Sequence, residues 1–283
     1  MTKSTVKKSI AIALTLSSIG AFADTAPYNY ENSSGETIFQ DALAEVKLTS
    51  PDGSTILAEG SEFDGYVTDN FKVPTGDNYM QITHEGVSSS RTEFRHLTDF
   101  STNDSNTMQG TIKVASTTSG LDEVTVLQIH NSDSENIGAP LMRIAQIVED
   151  GTKFYEAKFR LSACNKSLDT CDPDYDTYRW LDTNNEPTVL TTDHIEFYVR
   201  VKDGVVKALM GGVHGTLMCE ENNVYSADNC STSDKSHTTS SGNHEIDSDW
   251  PTTDFYFKTG AYIQDAGTAV VRYKSLTFNV TAQ

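Results

Sequence analysis

Basic residues are scarce in this chain of 283 residues, which has 21 Lys and Arg against 40 Asp and Glu and a formal net charge of −19. Nucleic acids and anionic membranes are bound through clusters of Lys and Arg, so neither is expected as a partner. An acidic surface also repels any polyanion at long range, unless the few basic side chains are concentrated locally. The positions of those basic residues therefore bear directly on function.

Long apolar runs are absent beyond the N-terminal region. Residues 10–22 form an uncharged, mainly apolar run with a basic stretch before it and a small-x-small site at its end, which is typical of a secretory signal peptide. A membrane anchor is the alternative, but about 13 apolar residues are too few to span a bilayer. We expect a signal peptide over 1–23 and one catalytic domain over 24–283, outside the cytoplasm in the extracellular medium or the periplasm. The residues behind this prediction are Lys3, Lys7 and Lys8, followed by Ala21-Phe22-Ala23.

Cysteine is limited to four residues in two pairs, Cys164 with Cys171 and Cys219 with Cys230. Structural zinc sites usually separate paired cysteines by two to four residues, and neither pair has that spacing. Disulfides form readily in exported proteins. We therefore predict two local disulfides, Cys164–Cys171 and Cys219–Cys230.

Helix signals are few, and strand signals dominate the chain. Helical spacing of apolar residues occurs near 36–46, where Ser33 and Glu36 resemble a capping box. Most other segments alternate apolar and polar residues, and Lys202-Asp203-Gly204 is typical of a hairpin turn. Many short strands without a repeat period predict a β-sandwich or jelly roll in one domain. The clearest predicted strands are 79–84, 110–114, 124–130, 141–148, 153–161, 195–201 and 269–278.

Two long polar stretches, 162–192 and 211–251, each contain one cysteine pair and are predicted to be loops. They are either plain surface loops or lids beside a cleft, and the sequence favours neither interpretation.

Three predicted strands carry polar side chains on one face and apolar side chains on the other. Residues two apart share a face of a strand. A solvated outer face is the ordinary explanation for any one of these strands. Solvated faces, however, favour Lys, Glu and Thr, whereas these collect Arg, Gln, His and Tyr, which suit binding of a carboxylate and transfer of protons. The polar residues are Arg91, Glu93 and Arg95 in the first strand, Gln128 and His130 in the second, and Tyr256, Lys258, Tyr262 and Gln264 in the third.

In order along the chain, these segments resemble the three signature regions of polysaccharide lyase family 7, the alginate lyases. The family pattern is R-x-E-L-R, then Q-I-H or Q-V-H, then Y-F-K-A-G-x-Y-x-Q; this chain has R-T-E-F-R, Q-I-H and Y-F-K-T-G-A-Y-I-Q. The departures, Phe94 and Thr259, both fall on the apolar side of their strands. The resemblance implies an all-β jelly-roll sandwich of two antiparallel sheets with a concave substrate groove.

The resemblance also implies an enzyme that cuts alginate by β-elimination and leaves unsaturated uronate ends, and the predicted signal peptide implies that it is secreted. It assigns the catalytic roles to four residues, Arg91 and Gln128 at the sugar carboxylate and His130 and Tyr262 in proton transfer. The residues expected to shape the groove and bind neighbouring sugars are Glu93, Arg95, Lys258 and Gln264. The scheme needs no cofactor or metal, its partner is an acidic polysaccharide, and we expect a monomer.

The middle residue of Gln128-Ile129-His130 bears on substrate preference. In the family that the chain resembles, Ile at this position accompanies action on guluronate or mixed blocks, and Val accompanies action on mannuronate. We therefore expect a preference for guluronate-containing blocks.

Two other classes of function remain open. Glu245-Ile246-Asp247-Ser248-Asp249 is similar to the carboxylate motif of sandwich glycoside hydrolases, although the closing Glu is missing. A non-catalytic carbohydrate-binding module on the same fold would use stacking aromatics, and Trp180 and Trp250 keep that possibility open. Ultraviolet-absorbing unsaturated ends distinguish a lyase from both.

Overall fold

The computed structural model describes residues 24–133, 137–164, 174–181, 193–222 and 224–283. The predicted signal peptide, residues 1–23, and Cys171 lie outside the described residues. The signal peptide and the disulfide Cys164–Cys171 therefore remain predictions.

Strands form most of the described structure, with one short α-helix, α1 (Gln40–Ala44). The strands of the first half are β1 (Val46–Thr49), β2 (Ile56–Glu59), β3 (Phe71–Lys72), β4 (Met80–Gly86), β5 (Arg91–His96), β6 (Asn106–Thr117), β7 (Glu123–Asn131), β8 (Met142–Glu149) and β9 (Thr152–Arg160). Those of the second half are β10 (Tyr175–Arg179), β11 (Ile195–Lys202), β12 (Val205–Met210), β13 (Val213–His214), β14 (Thr216–Glu221), β15 (Val224–Ser226), β16 (His244–Glu245), β17 (Phe255–Ile263) and β18 (Gly267–Asn279).

The strands form two sheets with antiparallel pairing, which confirms the predicted sandwich. Sheet A has the order β15-β14-β10-β9-β8-β7-β17-β5-β1-β2. Sheet B has the order β13-β12-β11-β6-β18-β4-β3, and β16 adds to it beside β12. The sequence alternation explains this architecture, since one face of each sheet packs on the other and the second face is left for solvent or ligand.

The core lies between the two sheets. Phe94, Ile129 and Phe257 of sheet A are fully buried, as are Val199 and Val271 of sheet B. Aromatic contacts hold the layers together: the Phe94 ring lies 6.1 Å from that of Phe63 and 5.8 Å from that of Phe71. The two departures from the family pattern are therefore core residues, because Thr259 is also buried.

Thr259 makes a polar contact inside this core. Its hydroxyl donates to the carbonyl oxygen of Val126 at 2.9 Å and lies 2.8 Å from the hydroxyl of Tyr273 in sheet B. Because a hydroxyl has one proton, the Tyr273 hydroxyl is the donor in the second contact. This bond links the two sheets directly below the polar face of β17.

The helix and loop predictions need correction. The predicted helix over 36–46 is reduced to the five residues of α1, and Phe39 at its N-cap provides no side-chain hydrogen bond. The stretches 162–192 and 211–251 contain strands β10 and β13 to β16. Their polar composition hid these strands, even though four of the five residues of β10 are buried.

Two local predictions are confirmed. Asp203 and Gly204 join β11 to β12 with φ values of 52° and 70°, as a tight hairpin requires. Cys219 and Cys230 form a disulfide with a Cα–Cα distance of 5.0 Å. It ties β14 to the turn after β15, at one end of sheet A.

Candidate active site

The three motif strands are neighbours in sheet A, where β17 lies between β7 and β5. Lys258 of β17 is paired with Gln128 on one side and Arg95 on the other, and Tyr262 is paired with Arg91. Tyr256 is paired with His130. Directly paired residues share a face, so the polar residues of all three motifs point away from the core on one surface.

Gly260 makes the close approach of β17 and β5 possible. A Cβ at this position would lie 2.4 Å from the carbonyl oxygen of Thr92 and 2.6 Å from Cα of Glu93, both of them backbone atoms that cannot move aside. The glycine of the third motif is therefore required by packing against the first motif.

Glu93 is the centre of the polar network and has no solvent-exposed surface. Its carboxylate receives a hydrogen bond from Nε2 of Gln128 at 2.5 Å and pairs with Nζ of Lys258 at 2.7 Å. Nη1 of Arg91 lies 3.7 Å away. Glu93 lies beneath Arg91, Gln128 and Lys258 and lines neither cavity of the groove described below, so it is placed to orient these side chains rather than to touch a sugar.

Gln128 is oriented by this contact. A carboxylate only accepts hydrogen bonds, so the group of Gln128 that faces Glu93 is the NH₂. One N–H is used there, and the second remains as a neutral donor. Gln128 also lines the pocket described below, where that donor can meet a ligand carboxylate.

His130 is held in one tautomer. Its Nδ1 lies 2.9 Å from the carbonyl oxygen of Asn131, which can only accept, so the proton of the neutral ring is on Nδ1 and Nε2 has a free lone pair. Burial lowers the pKa of His130 to about 4, and the positive charges of Lys258 and Arg91 act in the same direction. The ring is therefore neutral at pH 7 and suited to accepting a proton.

Both arginines of the first motif stack on tyrosines of the third. The guanidinium of Arg91 lies 3.9 Å from the ring centroid of Tyr262, and that of Arg95 lies 3.9 Å from the centroid of Tyr256. The Tyr256 ring in turn stacks on His130 at 5.4 Å. These contacts fix the orientation of the aromatic rings on the polar face.

A pocket of about 130 Å³ collects the four predicted catalytic residues, Arg91, Gln128, His130 and Tyr262. The other four predicted residues are arranged around it. Lys258 is nearly buried against Glu93, Arg95 pairs with Asp99 at 2.8 Å, and Gln264 follows directly after β17. The structure thus brings the four predicted catalytic residues together and places the four predicted sugar-binding residues around them.

Besides Gly138, Ala139 and Pro140, three polar residues line this pocket that the sequence analysis did not single out: Arg143, Lys158 and Tyr175. Arg143 and Lys158 lie directly across from each other on β8 and β9, and Gln128 is paired with Arg143. The signal was available, because both are basic residues at polar positions of predicted strands. What the sequence could not supply was the register that places them beside Gln128.

A basic row therefore crosses the floor of sheet A. The register links Lys47, Arg95, Lys258, Gln128, Arg143 and Lys158 side by side on six adjacent strands. Beyond Lys158, a larger open cavity of about 720 Å³ continues the groove along β10 and β14. In a chain with a net charge of −19, this row is the local concentration of positive charge that a polyanion requires.

The hydrolase-like carboxylates lie elsewhere. Glu245 belongs to β16, which pairs with β12 of sheet B. In the part of the chain that the structure describes, none of residues 245–249 lines either cavity of the groove. Two facing carboxylates on opposite sides of a scissile bond, as hydrolysis requires, are not formed by this segment.

A family model described as alginate lyase matches residues 42–280, and the chain therefore belongs to the alginate lyase family. It is accordingly a polysaccharide lyase, and the resemblance noted in the sequence is confirmed. A comparison with curated proteins returns no match.

Solved structures of alginate lyases share the fold at low sequence identity. Alginate lyase AlyC3 superposes with a TM-score of 0.67 at 19% identity, covering 91% of this chain and 96% of that one. Alginate lyase A1-II', a member of polysaccharide lyase family 7, gives 0.57 at 18%, covering 87% and 98%. Alginate lyase PA1167 from Pseudomonas aeruginosa gives 0.58 at 16%, covering 84% and 99%.

Proposed function

We propose that this chain depolymerises alginate by β-elimination at the 4-O-glycosidic bond, with Arg91, Gln128, His130 and Tyr262 as its catalytic residues. The observation that carries the proposal is the pocket in which these four side chains meet beside the basic row. AlyC3 has been solved in complex with dimannuronate, and a double variant of A1-II' with the substrate GGMG. These complexes support an acidic oligosaccharide as the ligand of the corresponding groove here.

The carboxylate of the sugar at the cleaved bond is the first requirement of the chemistry. Removing the proton on C5 adds negative charge to a group that is already a carboxylate, so the transition state needs more donors than the ground state. Arg91 offers a charged guanidinium fork, and Gln128 offers its free N–H. Because Glu93 holds both, they need little reorganisation as charge develops.

Proton transfer is the second requirement. Nε2 of neutral His130 accepts the C5 proton, and the hydroxyl of Tyr262 donates a proton to the departing O4. The bond between C4 and O4 breaks as the double bond between C4 and C5 forms. The products are one chain with a new hydroxyl end and one with an unsaturated uronate end.

Guluronate-containing blocks are the substrate that we propose this site prefers. Ile129 is fully buried between the sheets, so any influence on the sugar passes through the flanking Gln128 and His130. Guluronate and mannuronate differ in configuration at C5, and small shifts in a reacting geometry can change rates by as much as about 100-fold. Initial rates on polyguluronate, polymannuronate and alternating alginate test this, and faster cleavage of polymannuronate would contradict it.

Action outside the cytoplasm is part of the same proposal. The disulfide between Cys219 and Cys230 fits an oxidising compartment. Among the described residues, no helix is both long and apolar enough to cross a membrane. The N-terminal sequence of the exported protein, expected to start at Asp24, would test the predicted signal peptide.

Replacement of the leaving-group acid provides the test of the mechanism. We expect Tyr262→Phe to fold, to bind alginate and to lose about 10²- to 10⁴-fold in the rate of formation of ultraviolet-absorbing ends. Tyr30→Phe is a matched control, because Tyr30 packs on Phe39 away from the groove. Full turnover by Tyr262→Phe would refute the assignment, and reducing ends without unsaturation would refute the lyase mechanism.

A further inference from the structure

The outer face of sheet B, on the opposite side of the molecule from the catalytic pocket, carries a second groove. Its volume is about 540 Å³, and its lining includes Gln109, Thr111, Tyr198, Lys207, Ser275 and Thr277. Phe197 and Val199 point into the core, so Tyr198 between them points outward. The lining of this outer groove therefore combines hydroxyl and amide side chains with the aromatic ring of Tyr198, and Phe197, Leu209 and Glu196 also border it.

Basic residues stand at both ends of the outer groove. At one end, Arg200 of β11 is paired with Lys207 of β12. At the other end, Lys113 of β6 is paired with Arg272 of β18, and Lys274 is exposed two residues further along β18. Position 107, paired with Arg200, and position 113 are six residues apart on β6, which corresponds to about 20 Å along a strand.

These five cations have no acidic partner among the described residues. Neither Arg200 and Lys207 nor the group of Lys113, Arg272 and Lys274 forms an ion pair there. In the catalytic groove, by contrast, Arg95, Arg143 and Lys158 are each paired with a carboxylate. Unpaired clustered cations are unexpected in a chain with about twice as many acidic as basic residues, because nearby carboxylates are plentiful.

The side chains around Arg272 are already ordered. Its guanidinium lies 4.4 Å from the ring centroid of Tyr79, and its Nε donates to Oε1 of Gln81 at 3.0 Å. The Tyr79 ring also packs at a tilt against His194, with the ring centroids 5.9 Å apart. Three acidic groups are close as well: Tyr79 donates to Asp77 at 2.5 Å, Glu196 lines the groove, and Asp193 acts on the adjacent His194.

The pKa of His194 reports the same concentration of positive charge. Burial lowers it to about 4, and Lys274, Lys113 and Arg272 each contribute to the lowering. The three cations at this end of the groove are therefore near enough to act together on one neighbouring group.

We propose that the outer groove of sheet B is a second binding site for the acidic polysaccharide, separate from the catalytic pocket and without catalytic residues of its own. The inference rests on the proposed function, because a polyuronate is the polyanion that such an enzyme meets. Carboxylates of the chain pair with the cations at the two ends, and its hydroxyls bond to the polar floor between them. The site holds the enzyme on long chains or gels while the pocket on sheet A cuts.

The test compares two double variants with the same change in charge. Lys113→Gln/Lys274→Gln removes cations from one end of the outer groove. Lys153→Gln/Lys235→Gln removes two exposed lysines from positions off this face. Both are made in the Tyr262→Phe background, and migration through gels containing alginate measures binding to the polymer. Both double variants are also made in the active protein, and the release of unsaturated ends from an alginate tetrasaccharide is measured.

We expect the Lys113/Lys274 double to weaken polymer binding on the order of fivefold relative to the control double, since solvent-exposed charge contacts are individually modest. The rate of cleavage of the alginate tetrasaccharide should be unchanged. If both double variants were retarded equally by alginate in the gel, the second site would be refuted. Cleavage of the tetrasaccharide would still support the proposed lyase activity in that case. Light scattering measures the molar mass of the same proteins in solution. If the Lys113/Lys274 double variant loses a dimer rather than polymer binding, the face is an interface between copies and the proposal is wrong.

Discussion

Glu93 holds Arg91, Gln128 and Lys258 from below while remaining out of contact with solvent. At the scale of single residues, this arrangement assigns the R-x-E-x-R motif two different tasks. In the proposed mechanism the arginines face the substrate, and the glutamate between them contacts donors from all three strands. Buried carboxylates of this kind are stable only while their cationic partners remain, because an unpaired buried charge is costly.

Glu93→Gln should therefore impair both stability and catalysis. The substitution keeps the shape but leaves Lys258 without a counter-charge and places an amide opposite Gln128. We expect a loss of about 3–5 kcal/mol in the free energy of unfolding, the range for breaking a buried pair. Urea unfolding and kcat/KM on alginate measure the two effects. Glu85→Gln, at an exposed position of β4, is the control; equal stability of the two variants would contradict the assigned role.

The pH dependence of activity follows from His130. Because burial and the neighbouring cations Lys258 and Arg91 lower its pKa to about 4, the ring loses its proton well below the ordinary range of histidine. The acidic limb of kcat/KM should accordingly lie near pH 4 instead of near 6.5. Titration of the His130 imidazole by NMR in the inactive Tyr262→Phe protein assigns that limb directly. An imidazole that titrates near 6.5 would contradict the geometry proposed for the base.

At the scale of strands, the sequence predicted which segments form strands and to which side their residues point. It did not predict which strands are neighbours in a sheet. Alternation identified β5, β7 and β17 and the side to which their residues point. It contained no information that β17 lies between the other two, or that Arg143 and Lys158 continue their row, because register depends on contacts between distant segments. The family resemblance predicted the set of candidate catalytic residues, and the structure shows which side chains hold them in place.

Gly260 shows how one residue controls the spacing between two of these strands. We expect Gly260→Ala to cost about 1–3 kcal/mol, the range for overpacking, and to lower kcat by shifting β5 and with it Glu93. Gly151→Ala separates the steric effect from backbone strain: Gly151 has φ +78°, and an added Cβ would meet no atom within 4 Å. Thermal unfolding of both variants is the measurement. A Gly260→Ala protein as stable and active as the wild type would show that β17 and β5 can separate freely.

At the scale of the whole molecule, the two clusters of basic residues described above lie on the two outer faces of the sandwich, in a chain with an acidic excess. The acidic excess repels a polyuronate at distance, and the basic row on sheet A attracts it at contact. Salt screens both terms, with a Debye length of about 8 Å at physiological ionic strength. Composition alone could predict that long-range repulsion of a polyanion must be opposed by a local attraction. Only the register of the strands shows which basic residues provide that attraction.

Buried histidines make the stability of the whole fold depend on pH. Burial lowers the pKa of His130 to about 4, and burial also lowers that of His244 to about 3. In the unfolded chain both titrate near 6.5, so between pH 6.5 and about 4 the unfolded state binds more protons than the folded state. Stability should therefore fall as the pH falls through this window. Asp176 opposes the trend, because burial raises its pKa to about 6 and the folded chain then keeps a proton that the unfolded chain releases.

The two histidines outweigh the single aspartate, so urea unfolding at pH 7, 6 and 5 should give a free energy of unfolding that decreases steadily. Replacement of His244 tests the histidine contribution, since its side chain is buried against the Phe159 ring at a centroid distance of 4.2 Å. Its Nδ1 also lies 3.5 Å from Oδ2 of Asp176, so the substitution changes the surroundings of that carboxyl as well. His244→Gln should lower stability at pH 7 yet reduce the slope by up to about 1.4 kcal/mol per pH unit, the limit for one proton. The slope, unlike the stability itself, is insensitive to lost packing. An unchanged slope in His244→Gln would mean that His244 takes up its proton in the folded protein as readily as in the unfolded chain.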